Sequence, residues 1–307
     1  MSKNNLLPIQ GVWTALATPF KDDLSIDWNA FERLLELQAN AGITGVVISG
    51  TTGESATLSV PEKLSLIRRA RAKLPGYVRI MAGCGDSNTH QSVELSRLSE
   101  DAGADSLLIV TPPYNKPSTA GLVLHYSTIG NSTKLPICLY HVPSRTAQFL
   151  SIDALKTICA QAPIAAIKEA SGDIGYLSRA VREVKQSILS GDDITFLPSL
   201  SVGGHGVISV ITNIFPEAMV KVFKAFHSGQ NNISIEIHKT LLPAIDSLFC
   251  EVNPCPLKAA LKILGIAEPH LRLPLTQVSQ ENYLKIEKTI VEVKRQLSAH
   301  VDSLASA

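Results

Sequence analysis

The stretch PIAAIKEASGD, residues 163–173, places four apolar residues directly before a lysine, Lys168. Seven other short runs of the chain are similarly apolar and rich in β-branched residues, and polar residues do not alternate with the apolar ones. Strands that are buried on both faces of a parallel sheet have this pattern. The eight runs begin near residues 11, 45, 77, 106, 136, 164, 187 and 206.

The segments between these runs have the 3.6-residue periodicity of amphipathic helices. In residues 28–42, one helix face carries Phe31, Leu34, Leu35 and Gln38, and Gly42 is a suitable stop. Eight strand–helix units are the number that closes a (β/α)8 TIM barrel. The sequence therefore predicts an α/β protein with a barrel over residues 1–229. Residues 230–307 are predicted to form a C-terminal helical extension packed on the barrel.

An open, doubly wound parallel sheet is the competing fold. Such a sheet usually has fewer strands and a glycine-rich phosphate-binding turn. The sequence contains neither G-x-G-x-x-G nor G-K-[ST]. We therefore favour the closed barrel.

The composition argues against several classes of protein. The 307 residues are 45% hydrophobic and 18% charged, which is typical of a globular chain with a large core. A net charge of +1 provides no basic field for nucleic acid, and no run approaches the roughly 18 apolar residues of a membrane span. The first ten residues, MSKNNLLPIQ, lack an apolar segment long enough for a signal peptide, and the five cysteines form no C-x-x-C pair. We expect a cytoplasmic protein without nucleic-acid, membrane or metal partners.

Polar side chains follow the C-terminal ends of several predicted strands, where a barrel carries its chemistry. The second strand ends in SGTTGES, the fourth in TPPYNKP, the fifth in LYHVPSRT and the seventh in SGDD. Carboxylates and histidines do not dominate these segments, so metal-assisted hydrolysis is disfavoured. Together with the sixth and eighth strands they supply the candidate site residues Thr51, Thr52, Tyr114, Tyr140, Arg145, Lys168, Gly191 and Ile208.

A buried lysine near a tyrosine and threonines suits Schiff-base chemistry. The neutral amine of Lys168 would attack a ketone, and apolar surroundings favour the neutral amine. The resulting iminium withdraws electrons, so the neighbouring carbon loses a proton and becomes an enamine nucleophile. Tyr140, on the adjacent strand, is suitably placed to carry protons. The Gly-Thr-Thr-Gly loop offers N–H groups and hydroxyls for a substrate carboxylate.

Each of these residues also has a simpler interpretation. A strand-end lysine is most often solvated or paired with a neighbour such as Glu169, and a strand-end tyrosine usually packs with its hydroxyl satisfied. Arg145 alone would form a surface salt bridge, and a glycine-rich loop is more often a plain turn. Their joint occurrence at the strand ends of one barrel is what favours a catalytic site.

Taken together, GTTGES, TPPYNKP, YHVPSRT, IKEASGD, LSGDD and GGHGVISV resemble motifs of the dihydrodipicolinate synthase and N-acetylneuraminate lyase family, which are pyruvate-dependent class I aldolases. The resemblance extends from about residue 10 to about residue 300. It implies a (β/α)8 barrel with a C-terminal helical extension and a homotetramer built as a dimer of dimers. It also implies that the chemistry needs no cofactor beyond the covalent Schiff base between substrate and Lys168.

The resemblance implies a role for each candidate residue. Lys168 would form the Schiff base and Tyr140 would be the central proton carrier. Thr51 would link Tyr140 to Tyr114, which would reach into the site of a neighbouring subunit. The remaining residues would line the pyruvate site: Thr52, which holds the carboxylate, Gly191 and Ile208.

Arg145 distinguishes the branches of this family. In the synthases, the arginine of this segment meets the carboxylate of aspartate semialdehyde, for which a rigid guanidinium fork is well suited. Sialic acid lyases lack it because their second substrate is a neutral sugar. Arg145 therefore predicts condensation of pyruvate with aspartate 4-semialdehyde, the committed step towards diaminopimelate and lysine.

Two residues beside the site depart from the synthase pattern. His141 stands where the synthases usually have Asn, and Ala147 stands where they have Gly. Because side chains alternate along a strand, His141 is predicted to lie on the opposite side from Tyr140, as a packing residue or as part of the site.

Two other functions fit parts of this pattern. Another pyruvate-dependent aldolase of the family, of the sugar-acid or hydroxy-oxoglutarate type, would share Lys168 and Tyr140 without needing Arg145. A non-catalytic barrel that senses a 2-oxo acid would tolerate loss of the proton relay. The presence of Thr51, Tyr114 and Tyr140 together argues against the sensor.

Overall fold

Eight parallel strands form a closed barrel in this protein. The computed structural model describes residues 8–305, with side chains described for residues 8–299. Each strand pairs with the next one in sequence, and the last pairs with the first. All eight predicted runs contain a strand, so the TIM barrel is confirmed and the open sheet is wrong. The strands are β1 (Gly11–Ala15), β2 (Gly45–Ile48), β3 (Arg79–Gly83), β4 (Ser106–Val110), β5 (Ile137–His141), β6 (Ile164–Glu169), β7 (Ser187–Ser190) and β8 (Gly206–Ser209).

Helices surround the barrel and continue beyond its last strand. Short 3₁₀ turns occupy Ser55–Thr57 and Ile211–Asn213. Within the described residues the α-helices are α1 (Trp28–Ala41), α2 (Val60–Lys73), α3 (Thr89–Asp101), α4 (Thr119–Ser132), α5 (Pro143–Thr146), α6 (Ile152–Gln161), α7 (Ile174–Glu183), α8 (Phe196–Ser201), α9 (Pro216–His227), α10 (Asn231–Leu248), α11 (Cys255–Ile263) and α12 (Gln280–Ala305).

Local sequence signals explain the ends of α1. Asp27 precedes the helix, and its carboxylate accepts a hydrogen bond from the N–H of Ala30 at 3.0 Å. Gly42 ends the helix with φ +72°, a left-handed conformation that glycine adopts without strain. The predicted apolar face, which includes Phe31 and Gln38, is buried as expected.

The barrel separates two apolar clusters. The larger cluster fills the space between the strands and the outer helices. The smaller one lies inside the barrel and comes from alternate strand positions, because successive side chains of a strand point to opposite faces. Its members include Trp13, Val47, Met81, Leu108 and Cys138. The interior is therefore a packed floor, and space for a substrate exists only near the strand ends.

Helices α10, α11 and α12 follow the barrel and pack against one another, and α10 also packs against α9. The predicted boundary after residue 229 falls between α9 and α10 and stays a prediction. None of the helices within residues 8–305 combines the length and the apolar character needed to cross a membrane.

A buried ion pair ties α11 to the loop that follows β2. The ammonium group of Lys258 pairs with the carboxylate of Glu54, and the side chains are 1% and 0% exposed. Lys258 Nζ also donates to the carbonyl of His270 at 2.8 Å and lies 4.1 Å from the ring centroid of Phe20. Burial lowers the pKa of Lys258 to about 8, against the opposing effect of Glu54. The loop carrying Thr51 is thus anchored to the C-terminal helices.

Candidate active site

Lys168 and Tyr140 lie side by side at the C-terminal end of the barrel. Each is the penultimate residue of its strand, and the two are register partners across β5 and β6. They are 6% and 7% exposed, respectively. Lys168 Nζ lies 4.2 Å from the centroid of the Tyr140 ring. The structure therefore brings the predicted nucleophile and the predicted proton carrier together.

The floor beneath these two residues is apolar. Cys138 and Ala166 precede Tyr140 and Lys168 by two positions, so they point into the same interior, and both are fully buried. Burial raises the pKa of the Cys138 thiol to about 12, so the thiol stays neutral. The Lys168 amine therefore has no anionic partner on the β5 and β6 positions directly below it.

A cavity of about 340 Å³ lies above this floor. It contains the predicted residues Thr51, Thr52, Tyr140, Arg145, Lys168 and Gly191 in its wall. A second cavity of about 520 Å³ adjoins it and shares several of these residues. The first cavity is also lined by Ala15, Val47, Gly50, Leu108, Val142, Ser144, Ala170, Asp192, Val210, Phe249, Val252 and Asn253.

The loop after β2 presents two hydroxyls to the cavity wall. Two successive turns shape this loop. The N–H of Gly53 donates to the backbone carbonyl of Gly50, and the N–H of Glu54 donates to the backbone carbonyl of Thr51, each at 3.1 Å. Gly53 packs closely, since a side chain there would meet the carbonyl oxygen of Leu16 at 3.0 Å. Thr52 is 3% exposed and its Oγ1 accepts a hydrogen bond from Asn253 Nδ2 at 3.0 Å.

Gly191 allows β7 to approach the lysine. A Cβ atom at this position would lie 2.5 Å from Ala170 Cβ and 3.0 Å from Lys168 Cε. Its N–H donates to the carbonyl of Glu169 at 2.6 Å, which fixes the chain there. A larger residue would push against the lysine side chain, so glycine at this position follows from packing.

Arg145 lies at the cavity wall in the one-turn helix α5, just beyond the end of β5. It is exposed, and its Nη2 donates to the carbonyl of Asn253 at 3.2 Å. Ala147 ends α5 with φ +54°, where a glycine would be less strained. Glycine, which the synthases have at this position, therefore suits the backbone conformation better than the Ala147 of this chain.

For three of the predicted residues, Thr51, Tyr114 and Ile208, the single chain does not show the predicted contacts. Tyr114 is 94% exposed and lies outside the cavity wall. Ile208 is fully buried in the barrel interior and does not line the cavity. Within the described residues, Thr51 and Tyr140 share no hydrogen bond through their hydroxyls. The relay role of Thr51 and Tyr114 and the substrate contact of Ile208 therefore stay predictions.

His141 packs on the outer side of β5, and the prediction that it points away from Tyr140 is confirmed. It is fully buried, and its ring centroid lies 5.3 Å from that of Phe149 and 5.2 Å from that of Tyr176. Its Nε2 accepts a hydrogen bond from the N–H of Leu150 at 3.1 Å. Its Nδ1 lies 3.4 Å from Glu169 Oε1. His141 is therefore separated from the cavity by its own strand.

Two cavity residues were not singled out from the sequence. Asp192 directly follows Gly191, and burial raises the pKa of its carboxyl to about 6, although the charge of Lys168 opposes this. Asn253 contacts both Thr52 and Arg145. Both lie in recognisable motifs, SGDD and NPCPLKAAL, but neither motif indicates which of its residues faces the cavity.

No group of three or more His, Cys, Asp or Glu side chains with the arrangement of metal ligands occurs in the described part of the chain. The polar side chains around the cavity carry one amine, one guanidinium, one phenol, the hydroxyls of two threonines and a serine, a carboxyl and an amide. Such a set can bind an anionic ketone and move protons.

Comparison with known proteins identifies relatives over nearly the whole chain. The sequence model described as the dihydrodipicolinate synthetase family matches residues 8–293. A 4-hydroxy-tetrahydrodipicolinate synthase from Magnetococcus marinus is 45% identical over 286 residues, which are 92% of this chain and 98% of that protein. The enzyme of the same name from Methanococcus aeolicus is 40% identical over 92% of this chain and 99% of its own length.

Solved structures show the same similarity. The 4-hydroxy-tetrahydrodipicolinate synthase from Methylacidiphilum fumariolicum SolV superimposes with a TM-score of 0.92 at 39% identity, covering 95% of this chain and 98% of that one. The dihydrodipicolinate synthase from Aquifex aeolicus superimposes with a TM-score of 0.90 at 36% identity, covering 93% and 98% of the two chains.

Proposed function

This chain belongs to the dihydrodipicolinate synthetase family, and from that premise we propose that it condenses pyruvate with aspartate 4-semialdehyde to 4-hydroxy-tetrahydrodipicolinate. It is an aldolase-type lyase of lysine and diaminopimelate biosynthesis. The observation that carries the proposal is the pairing of Lys168 with Tyr140 at the floor of a cavity whose wall includes Arg145.

The first half of the reaction prepares a nucleophile from pyruvate. The neutral Lys168 amine adds to the ketone carbon, and loss of water leaves an iminium. A proton then leaves the methyl carbon, and the electron pair of that C–H bond becomes the enamine double bond. Tyr140 is the group that takes and returns protons, because its ring lies beside the amine. The Thr52 hydroxyl and loop N–H groups hold the pyruvate carboxylate.

The second half joins the two substrates. The enamine carbon attacks the aldehyde carbon of aspartate semialdehyde, and the aldehyde oxygen takes a proton to become the hydroxyl of the product. The amino group of the second substrate then adds to the iminium carbon, closes the ring and releases the Lys168 amine. The only water formed is the one lost when the Schiff base forms.

Arg145 favours aspartate semialdehyde over a neutral aldehyde. Its guanidinium is in the cavity wall, where it can meet a second carboxylate, and its Nη2 is held by the carbonyl of Asn253. A bidentate guanidinium–carboxylate pair combines charge with fixed geometry. The alternative, another pyruvate-dependent aldolase acting on a sugar acid or a hydroxy-oxoglutarate, has no specific support in the cavity.

Several finer features belong to the same proposal. The reaction needs no cofactor beyond the covalent link to Lys168. The assembly is a homotetramer in which the exposed Tyr114 enters the site of a neighbouring subunit. Gly191, in the cavity wall, borders the bound pyruvate, and Ile208 packs beneath it in the barrel interior. The protein acts in the cytoplasm on small-molecule substrates.

The proposed function is tested by measuring consumption of pyruvate with aspartate semialdehyde by the wild type and by Lys168→Ala. We expect turnover in the wild type and near-complete loss in the variant. Borohydride reduction in the presence of pyruvate should add one reduced pyruvate to the wild type and none to the variant. Lys258→Met is unsuitable as the control because that lysine supports the fold, so Lys156→Met, an exposed lysine on α6, serves instead. A wild type that does not consume this pair of substrates would contradict the proposal.

A further inference from the structure

Asn253 connects the C-terminal helices to the proposed pyruvate site. It lies between α10 and α11 and is 7% exposed. Its Nδ2 donates a hydrogen bond to Thr52 Oγ1 at 3.0 Å. Its Oδ1 is buried and has no hydrogen-bond partner among the described residues. The contact with Thr52 is thus the one that orients the amide.

This contact determines the direction of the Thr52 hydroxyl hydrogen. An amide nitrogen only donates, so Thr52 Oγ1 must accept from it, and the single hydrogen of the hydroxyl has to point elsewhere. The hydroxyl donates to no other described group. Because Thr52 is in the cavity wall, its hydrogen is left free for a ligand that accepts hydrogen bonds. We propose that Asn253 is a positioning residue that keeps the Thr52 hydroxyl as a donor to the carboxylate of the 2-oxo acid.

A second contact of Asn253 allows this positioning role to be distinguished by experiment from a general structural role. The backbone carbonyl of Asn253 accepts a hydrogen bond from Arg145 Nη2 at 3.2 Å. The side chain of Asn253 therefore contacts Thr52, which is proposed to bind pyruvate. Its backbone carbonyl contacts Arg145, which is proposed to bind the second substrate. A substitution removes only the first contact, because every residue keeps its carbonyl. The inference rests on the proposed function, since it assigns pyruvate to the Thr52 side of the cavity.

Two variants change the side chain in different ways. In Asn253→Leu the size is similar but Thr52 loses the donor that orients it. In Asn253→Asp the ionised carboxylate can only accept, so the Thr52 hydrogen turns towards it and away from the substrate. In a ping-pong reaction, kcat/KM for pyruvate reports the first half and kcat/KM for aspartate semialdehyde reports the second.

We expect kcat/KM for pyruvate to fall about tenfold in Asn253→Leu, which is the size of one hydrogen bond to a charged group. It should fall further in Asn253→Asp, whose negative charge also repels the substrate carboxylate. The value for aspartate semialdehyde should stay within about twofold of the wild type in Asn253→Leu. Thermal unfolding and sedimentation of each variant accompany the kinetics.

Substitution of the partner hydroxyl completes the test. If Asn253 acts through Thr52, then Asn253→Leu should cause no further loss of kcat/KM for pyruvate in a Thr52→Val background. Equal losses in both backgrounds, or parallel losses for both substrates, would overturn the inference and indicate a general structural role. So would wild-type values for pyruvate in both Asn253 variants. Each of these results leaves the proposed function intact, whereas a wild type that does not use pyruvate overturns both.

Discussion

The Cα atoms of Tyr140 and Lys168 are register partners on adjacent strands, and Lys168 Nζ lies 4.2 Å from the centroid of the Tyr140 ring. Parallel pairing alone places them side by side at the C-terminal end of the barrel. Alternation along each strand then turns both side chains inward. A ketone bound to the amine therefore has the phenol as its neighbour, and this relationship leads to the first prediction.

Tyr140→Phe should separate proton transfer from Schiff-base formation. Removing the phenol hydroxyl is expected to lower kcat by roughly 10²- to 10⁴-fold, the usual contribution of a positioned proton carrier. Borohydride should still trap pyruvate on Lys168, because the amine is unchanged. Tyr126→Phe is the matched control, since this fully buried tyrosine lies outside the cavity and its hydroxyl donates to the carbonyl of Ile109 at 3.4 Å. Wild-type turnover in Tyr140→Phe would rule out the phenol as the carrier.

Substitution of Arg145 should lower kcat/KM for the second substrate only. In Arg145→Ala we expect kcat/KM for aspartate semialdehyde to fall about a hundredfold, the loss of a charge-assisted contact to a carboxylate. Arg145→Lys should recover part of it, because lysine restores the charge but not the fork. The rate of Schiff-base trapping with pyruvate is the internal control and should not change. If kcat/KM for a neutral aldehyde falls as much as kcat/KM for aspartate semialdehyde, Arg145 does not recognise the carboxylate.

Asp192 should make the stability of the protein depend on pH. Burial raises the pKa of its carboxyl from 3.8 to about 6, so the folded state binds more protons than the unfolded state between these values. The free energy of unfolding contributed by this group therefore falls as pH rises from about 4 to about 6, and stays low above that. Asp192→Asn, which carries no charge, should be more stable than the wild type at pH 7 by roughly 3 kcal/mol.

The measurement for Asp192 is urea unfolding of both proteins at several pH values. The stability difference should shrink below pH 6 and vanish below about pH 4, where the carboxyl is protonated in both states. Asp101→Asn, at the exposed end of α3, is the control and should not reproduce this dependence. A difference that is constant over the whole range would show that the substitution acts through packing rather than charge.

The Lys258–Glu54 pair should contribute to folding because breaking it leaves a charge buried. Lys258→Met is expected to lower the free energy of unfolding by roughly 3–5 kcal/mol. Lys262→Met removes an exposed lysine of the same helix and its pair with Glu268, and should cost at most about 1 kcal/mol. The double variant Lys258→Met with Glu54→Gln should recover part of the loss. Equal effects of the two lysine variants in denaturant titrations would contradict the role of burial.

The sequence predicted the barrel because its signals are local. Each buried strand is a short apolar run, and the strand ends follow directly from those runs, so residues such as Lys168 and Tyr140 could be placed at one face before any contact was known. Arg145 was correctly assigned to the C-terminal end of β5, although it lies in a one-turn helix beyond the strand rather than in the strand itself.

Contacts between distant segments could not be predicted in the same way. Asn253 meets Thr52 across 201 positions of the chain, and nothing in either segment specifies the other. Lys258 has the spacing of an ordinary helix residue, and its burial is evident only once α11 packs on the loop after β2. Asp192 adjoins a predicted residue, but whether its side chain faces the cavity depends on how β7 ends.

Tyr114 provides the last prediction, because a fully exposed aromatic side chain with φ +73° has a function in our proposal only inside another subunit. Tyr114→Phe and Lys168→Ala should each be nearly inactive as pure assemblies. In mixed assemblies, a Tyr114→Phe subunit keeps its lysine and receives an intact tyrosine from a Lys168→Ala neighbour, so one complete site forms per mixed pair. Co-expression of the two variants with different affinity tags, followed by purification on both, should therefore restore a substantial part of wild-type turnover. Co-expression of Tyr140→Phe with Lys168→Ala is the control and should restore no turnover, because these two residues belong to one subunit's site and every mixed pair lacks either the phenol or the amine in each site. If the doubly purified Tyr114→Phe and Lys168→Ala assemblies stay as inactive as their parents, the tyrosine does not act across subunits.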